Sequence, residues 1–91
     1  MTYEQLLEIA RRSKGKTLST ITGKEFMVDV YMDCPFFIPL STGLGRSDGR
    51  KAAERFLELY NQSRSPKSST YQGVTRNASY FLGLLNQDPT R

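Results

Sequence analysis

"EFMVDVYMDCPFFIPL", residues 25–40, decides the fold. Phe26, Val28 and Val30 alternate with Met27, Asp29 and Tyr31, the period-two pattern of a strand with one buried face. "DCP" then breaks the chain, and "FFIPL" reads as a further short strand. Pro39 has no N–H to give a ladder, so that strand ends there or lies at an edge. Upstream, "TLSTI" is rich in β-branched residues and "TGK" supplies a turn. Connections this short join antiparallel neighbours, since a parallel pair needs a long crossover. The expectation is three strands, over 17–22, 25–32 and 36–39, in an antiparallel meander.

Helical spacing flanks them. Thr2 caps a first helix over 2–14, with Gln5 three residues on completing a capping box. Tyr3, Leu6, Leu7 and Ala10 form its apolar stripe, and Gly15 stops it. A second helix spans 48–61, capped by Ser47 or Asp48, with Ala52, Ala53, Phe56, Leu57 and Tyr60 on one face. After it comes "QSRSPKSSTYQG", a polar connection over 62–73 read as flexible. A third helix over 75–86 carries Ala78, Phe81, Leu82 and Leu85, and residues 87–91 form a frayed tail. Three strands cannot hide an apolar face alone, so the helices are expected to cover it. The fold class is a two-layer α+β domain in the order helix, three strands, two helices.

Size and composition narrow the function. A chain of 91 residues is one domain with a single modest core. Apolar runs are far shorter than the ~18 residues that cross a bilayer, and the opening residues lack a signal-peptide pattern, which predicts a cytoplasmic protein with no membrane partner. No histidine is present, so histidine-based acid–base and metal chemistry is excluded. Cys34 stands beside Asp33, whose negative charge opposes thiolate formation, and it reads as a small buried residue. Glu25, Asp29 and Asp33 recur every four residues, about 13 Å apart along a strand, beyond the reach of a catalytic pair. No enzyme activity, catalytic residue, metal or cofactor is expected.

The stretch "STGLGRSDGRK", residues 41–51, carries the sharpest ambiguity. Its glycines at 43, 45 and 49 fall one residue off the dinucleotide fingerprint, but the acidic residue that motif needs about twenty positions on is missing. A P-loop Gly-Lys-Ser/Thr ending is missing too. A simpler anion site remains, because the first amides of a helix lack internal partners. Arg46, Arg50 and Lys51 flank that helix start, and Ser41 and Thr42 add neutral donors. The competing reading is a mobile connection with solvated arginines.

Net charge is +4, from 13 basic and 9 acidic residues, and its distribution matters more than its sum. "RRSKGK" holds four cations at 11, 12, 14 and 16, and Arg46, Arg50 and Lys51 form a second cluster. Arg64, Lys67 and Arg76 form a third, inside an acid-free stretch from Leu59 to Gln87. Tyr31 and Tyr71 are candidates for stacking on a base or an arginine. If these clusters share one surface, the domain binds nucleic-acid phosphates or another anionic partner. The alternative is a protein-interaction or homodimerising module, using a sheet edge or surplus apolar surface at Phe36, Phe37, Tyr80 and Leu84.

The combination of "STGLGR" after a short strand, "FLELYN" at a helix end and the closing "TRNASYFLGLL" resembles small bacterial proteins that include the cargo of mobile gene cassettes, over residues 16–86. The resemblance implies a bacterial cytoplasmic origin and carries no activity, cofactor or site.

Overall fold

The computed structural model describes residues 1–87 and shows a small α+β fold. The order is α1 (Tyr3–Ser13), β1 (Thr17–Ser19), β2 (Glu25–Tyr31), β3 (Cys34–Pro39), α2 (Arg50–Ser63), a 3-10 turn (Ser68–Tyr71) and α3 (Ala78–Gln87). Helix, three strands and two helices follow one another as the periodicity predicts. The strands form one antiparallel sheet in the order β1-β2-β3. Of the expected 87–91 tail, residues 88–91 lie outside the described residues. No described helix is long and apolar enough to cross a membrane.

Strand alternation carries the core. Phe26 and Val28 on β2, Phe37 on β3 and Leu18 on β1 are buried on one face. Phe26 meets Tyr80 of α3 edge-on at 5.1 Å, and Phe37 meets Phe81 at 4.9 Å. Phe56 of α2 stacks on Phe81 at 4.7 Å, so aromatic rings link the sheet to both later helices. Phe37, Tyr80 and Leu84, read as surplus apolar surface, are core residues; Phe36 is half-buried on the other face of β3.

Several boundaries move, each for a local reason. β1 ends at Ser19 because Thr20 turns the chain: its hydroxyl accepts from the Lys24 amide at 3.1 Å. "DCP" does not break the chain at Pro35. The turn falls earlier, at Met32 and Asp33 (φ 51° and 57°), and β3 begins at Cys34. Two left-handed residues are what a two-residue hairpin with the right twist requires. Neither is glycine, so the tip is braced: the Tyr3 hydroxyl donates to the Asp33 carbonyl at 2.6 Å and Arg11 pairs with its carboxylate at 3.1 Å. Burial chiefly, with the Cys34 thiol nearby, pushes the Tyr3 phenol above its ordinary pKa, so it stays a donor.

Pro39 does lie on an edge. Phe37 exchanges both backbone hydrogen bonds with Arg46, at 2.9 and 2.6 Å, on the side away from β2. By alternation Pro35 and Pro39 are the other positions facing that way, and neither has an N–H. The outer edge of β3 therefore offers no free donor at any of the three positions, which blocks strand addition there.

Candidate nucleic-acid interface

The glycine-rich segment that opened two readings of residues 41–51 has a backbone reason at each glycine. Gly43 turns the chain at φ 67°, donating to the Pro39 carbonyl at 2.8 Å. At Gly45 a β-carbon would run into the Phe36 ring, so this residue lets the loop lie against the sheet. Gly49, at φ 88°, is the N-cap of α2. That displaces the cap expected at Ser47 or Asp48. The Ser47 hydroxyl accepts from the Gly49 amide, and the Asp48 carboxylate reaches away to Thr75 Oγ1 (2.6 Å) and the Arg76 amide (2.9 Å). With that brace in place, and Thr75 Oγ1 accepting from the Asn77 amide at 3.0 Å, α3 starts at Ala78 rather than 75.

The connection after α2 holds more structure than its Ser-rich composition suggests. Arg64 closes α2 in the left-handed region at φ 53°, and the 3-10 turn follows at Ser68–Tyr71. Tyr71 is fully buried, 4.7 Å from the Phe56 ring, and its hydroxyl donates to the Ser65 carbonyl at 2.7 Å. Its ring is therefore core and is not available to stack on a base. Ser65 Oγ and Thr70 Oγ1 close the segment at 2.7 Å.

Three hollows open on the surface where these pieces meet. The first, about 660 Å³, is lined by Lys24, Glu25, Pro39, Leu40, Ser41, Thr42, Leu44, Arg46 and Tyr80. The second, about 280 Å³, lies between the β1–β2 turn (Thr20, Ile21, Thr22), residues 66–69, and Ser79 and Leu82 of α3. The third, about 370 Å³, joins Arg64 to Ser65, Pro66, Leu82 and Asn86. The second and third share Pro66 and Leu82. The first and second have no lining residue in common, but both draw on the β1–β2 turn, which gives Lys24 to one and Thr20–Thr22 to the other.

Electrostatics separate this surface from the rest. Among the described residues, Lys24, Arg46, Arg64 and Lys67 line it with a single carboxylate, Glu25. Other acids pair elsewhere: Asp29 with Lys14 at 3.4 Å, Asp33 with Arg11, and Glu54 with Arg50 at 3.6 Å. Arg46 and Arg64 are held by rings instead, 5.8 Å from the Tyr80 centroid and 5.3 Å from that of Tyr60. A ring positions a guanidinium without neutralising it, so its charge stays available to an anion.

Of the residues singled out in the sequence, Ser41, Thr42 and Arg46 line the first hollow, Lys67 the second and Arg64 the third. Arg50 stands apart, 4.5 Å over the Tyr3 ring and paired with Glu54, and exposed Lys51 follows it on α2. Arg76 lines a separate depression with Asp48. Tyr31 is exposed beside Met32 at the tip of the β2–β3 hairpin. Sequence reasoning did not single out Lys24, Thr20, Thr22, Ser68, Ser69 or Ser79. The lysine in "TGK" was the one available signal, a cation beside a hairpin turn. No protein-family model matches the chain, and no curated protein or solved structure does either.

Proposed function

We propose that this protein is a non-enzymatic binding domain for nucleic-acid phosphates, with Lys24, Arg46, Arg64 and Lys67 as the main contacts. Ser41 and Thr42 add neutral donors, and Arg50, Lys51 and Arg76 are outlying contacts. The observation that carries this reading is the company of cations in three hollows built on shared elements. Lys24 of the β1–β2 turn, Arg46 of the 41–46 loop and Arg64 and Lys67 of the 64–67 segment line them, with Glu25 the single carboxylate among the described residues. Phosphate contacts release counterions, so affinity must fall steeply with salt. Four contacts correspond to a loss of about 50- to 150-fold between 50 and 200 mM salt.

Fluorescence polarisation with labelled DNA and RNA at those two salt concentrations is the test. A Lys24→Ala/Arg46→Ala/Lys67→Ala variant is expected to bind weakly and to lose roughly one unit of salt slope per cation removed. Affinity that ignores salt, or survives the triple substitution, overturns the proposal.

The β2–β3 tip favours a second reading, contact with a protein partner. Met32 is 83% exposed in a strained left-handed conformation, next to exposed Tyr31 and close to Arg11, and tyrosine, methionine and arginine are enriched at interfaces. Self-association is the form that can be checked directly. Light scattering of the full chain is expected to show a dimer that Met32→Ser dissociates; a monomer at every concentration removes the self-association form.

A further inference from the structure

We infer that the nucleic acid taken by this surface is a single strand, with phosphates at the rim cations and bases against the apolar floors of the hollows. The inference rests on the phosphate-binding reading above and adds the class of ligand. Its first support is the company the cations keep. Leu40, Leu44, Pro39 and Tyr80 share the first hollow with Lys24 and Arg46. Ile21, Pro66 and Leu82 share the second with Lys67. Leu44 is 71% exposed and Ile21 64%, and neither contributes to the core.

A duplex has its bases stacked inside and presents sugar–phosphate rails, so it would meet the cations and leave these apolar floors wet. A single strand has base faces to cover them; sequence-tolerant single-strand sites cover bases with exposed aromatic rings, and here aliphatic side chains and the edge of Tyr80 take that place.

The second support is that no described helix offers a major groove a face of donors free of carboxylates. Reading a duplex there takes an element that projects into the groove and carries donors. Helix α3 is buried at Ala78, Tyr80, Phe81, Leu82, Leu84 and Leu85. Exposed positions on α1 and α2 mix the two signs, Glu4 and Glu8 with Arg11 and Arg12 on the first and Glu54 and Glu58 with Lys51 and Arg55 on the second, so neither presents a face of donors free of carboxylates. The basic surface is instead recessed between a turn, a loop and a 3-10 segment. An acidic peptide also offers anions and apolar groups. The spread of the cations favours the strand: they line all three hollows, and a nucleic acid carries an anion at every unit, with acceptors for Ser41, Thr42, Ser68, Ser69 and Ser79 between them.

The test uses the full chain and a labelled mixed-sequence 15-mer, as single-stranded DNA, single-stranded RNA and duplex DNA, at one salt concentration. Either single strand is expected to bind at least tenfold more tightly than the duplex. A Leu44→Ser/Ile21→Ser variant is expected to lose about 5- to 100-fold for the single strand, the range that base contacts supply, with an unchanged salt slope and less than twofold change for the duplex. Both side chains are exposed, so an unchanged melting temperature shows that the fold survives. A duplex bound as tightly as the strand, or no effect of the double variant, overturns the inference and leaves the phosphate-binding reading standing. Displacement of the strand by an acidic, leucine-containing peptide at lower concentration than by unlabelled strand also overturns it. Failure to bind any of the three nucleic acids overturns both.

Discussion

Gly45→Ala is expected to lower the stability of the domain by about 2–3 kcal/mol and its melting temperature by roughly 10–20 °C. The new methyl group would overlap the Phe36 ring. Phe36 is half-buried beside Cys34 and Ile38 on the same sheet face, so relief takes a displacement of the ring, of the loop or of both. Moving the loop strains the two hydrogen bonds between Phe37 and Arg46. It also shifts Ser41, Thr42 and Arg46, so phosphate affinity is expected to drop several-fold together with the stability. Thermal unfolding by circular dichroism measures the first effect. Phe36→Ala is expected to rescue Gly45→Ala in part, a coupling that a double-mutant cycle reads directly. An unchanged melting temperature in Gly45→Ala would show that the loop does not lie against the sheet.

The larger loss is expected at Tyr71. Tyr71→Ala removes a fully buried ring tilted against Phe56 at 4.7 Å, and comparable truncations cost about 3–5 kcal/mol. Against a total of about 5–15 kcal/mol for a small domain, that brings the chain to the edge of unfolding. Tyr71→Phe separates the two roles of this side chain. It keeps the ring and deletes the hydroxyl that donates to the Ser65 carbonyl. The expected cost is about 1 kcal/mol, because the freed carbonyl is close enough to the surface to find water. Binding should suffer more than stability, since Ser65 is the tether that keeps Arg64 and Lys67 on the walls of their hollows. Equal binding by Tyr71→Phe and the wild type would mean that the 64–70 segment needs no such tether.

Each of the two substitutions works through a residue that lines none of the three hollows. This follows from how the surface is built. The cations reside on turns and loops, and what holds those loops is a glycine against a ring in one case and a buried phenol in the other. Loops fixed in this way keep their donors in place before a ligand arrives, which lowers the ordering cost of binding.

Much of the architecture was legible in residue order because the signals are local. The period-two run at 26–31, the Thr2–Gln5 capping box and the stripe Tyr3, Leu6, Leu7 and Ala10 each specify their own element. In the folded chain the box is closed by bonds of 2.8 and 3.1 Å. The edge role of Pro39 follows from its missing N–H, wherever the rest of the protein goes. Boundaries were less legible, since a hydrogen bond from outside can move them. Asp48 left the cap of α2 because Thr75 and Arg76, 27 and 28 residues away, offered it better donors.

The candidate surface belongs to tertiary structure. A cation's charge counts only if no carboxylate reaches it, and the carboxylates that decide this are remote in sequence: Asp33 lies 22 residues from the Arg11 it neutralises. Residue order supplies the charges and the periodicities; the fold determines which charges meet. For this reason the sheet, its order, its helices and the nearness of Arg64 to Lys67 could be read from the chain, whereas the grouping of Lys24 with Arg46, and the parting of Arg76 from Arg64 and Lys67, appeared only in the folded chain.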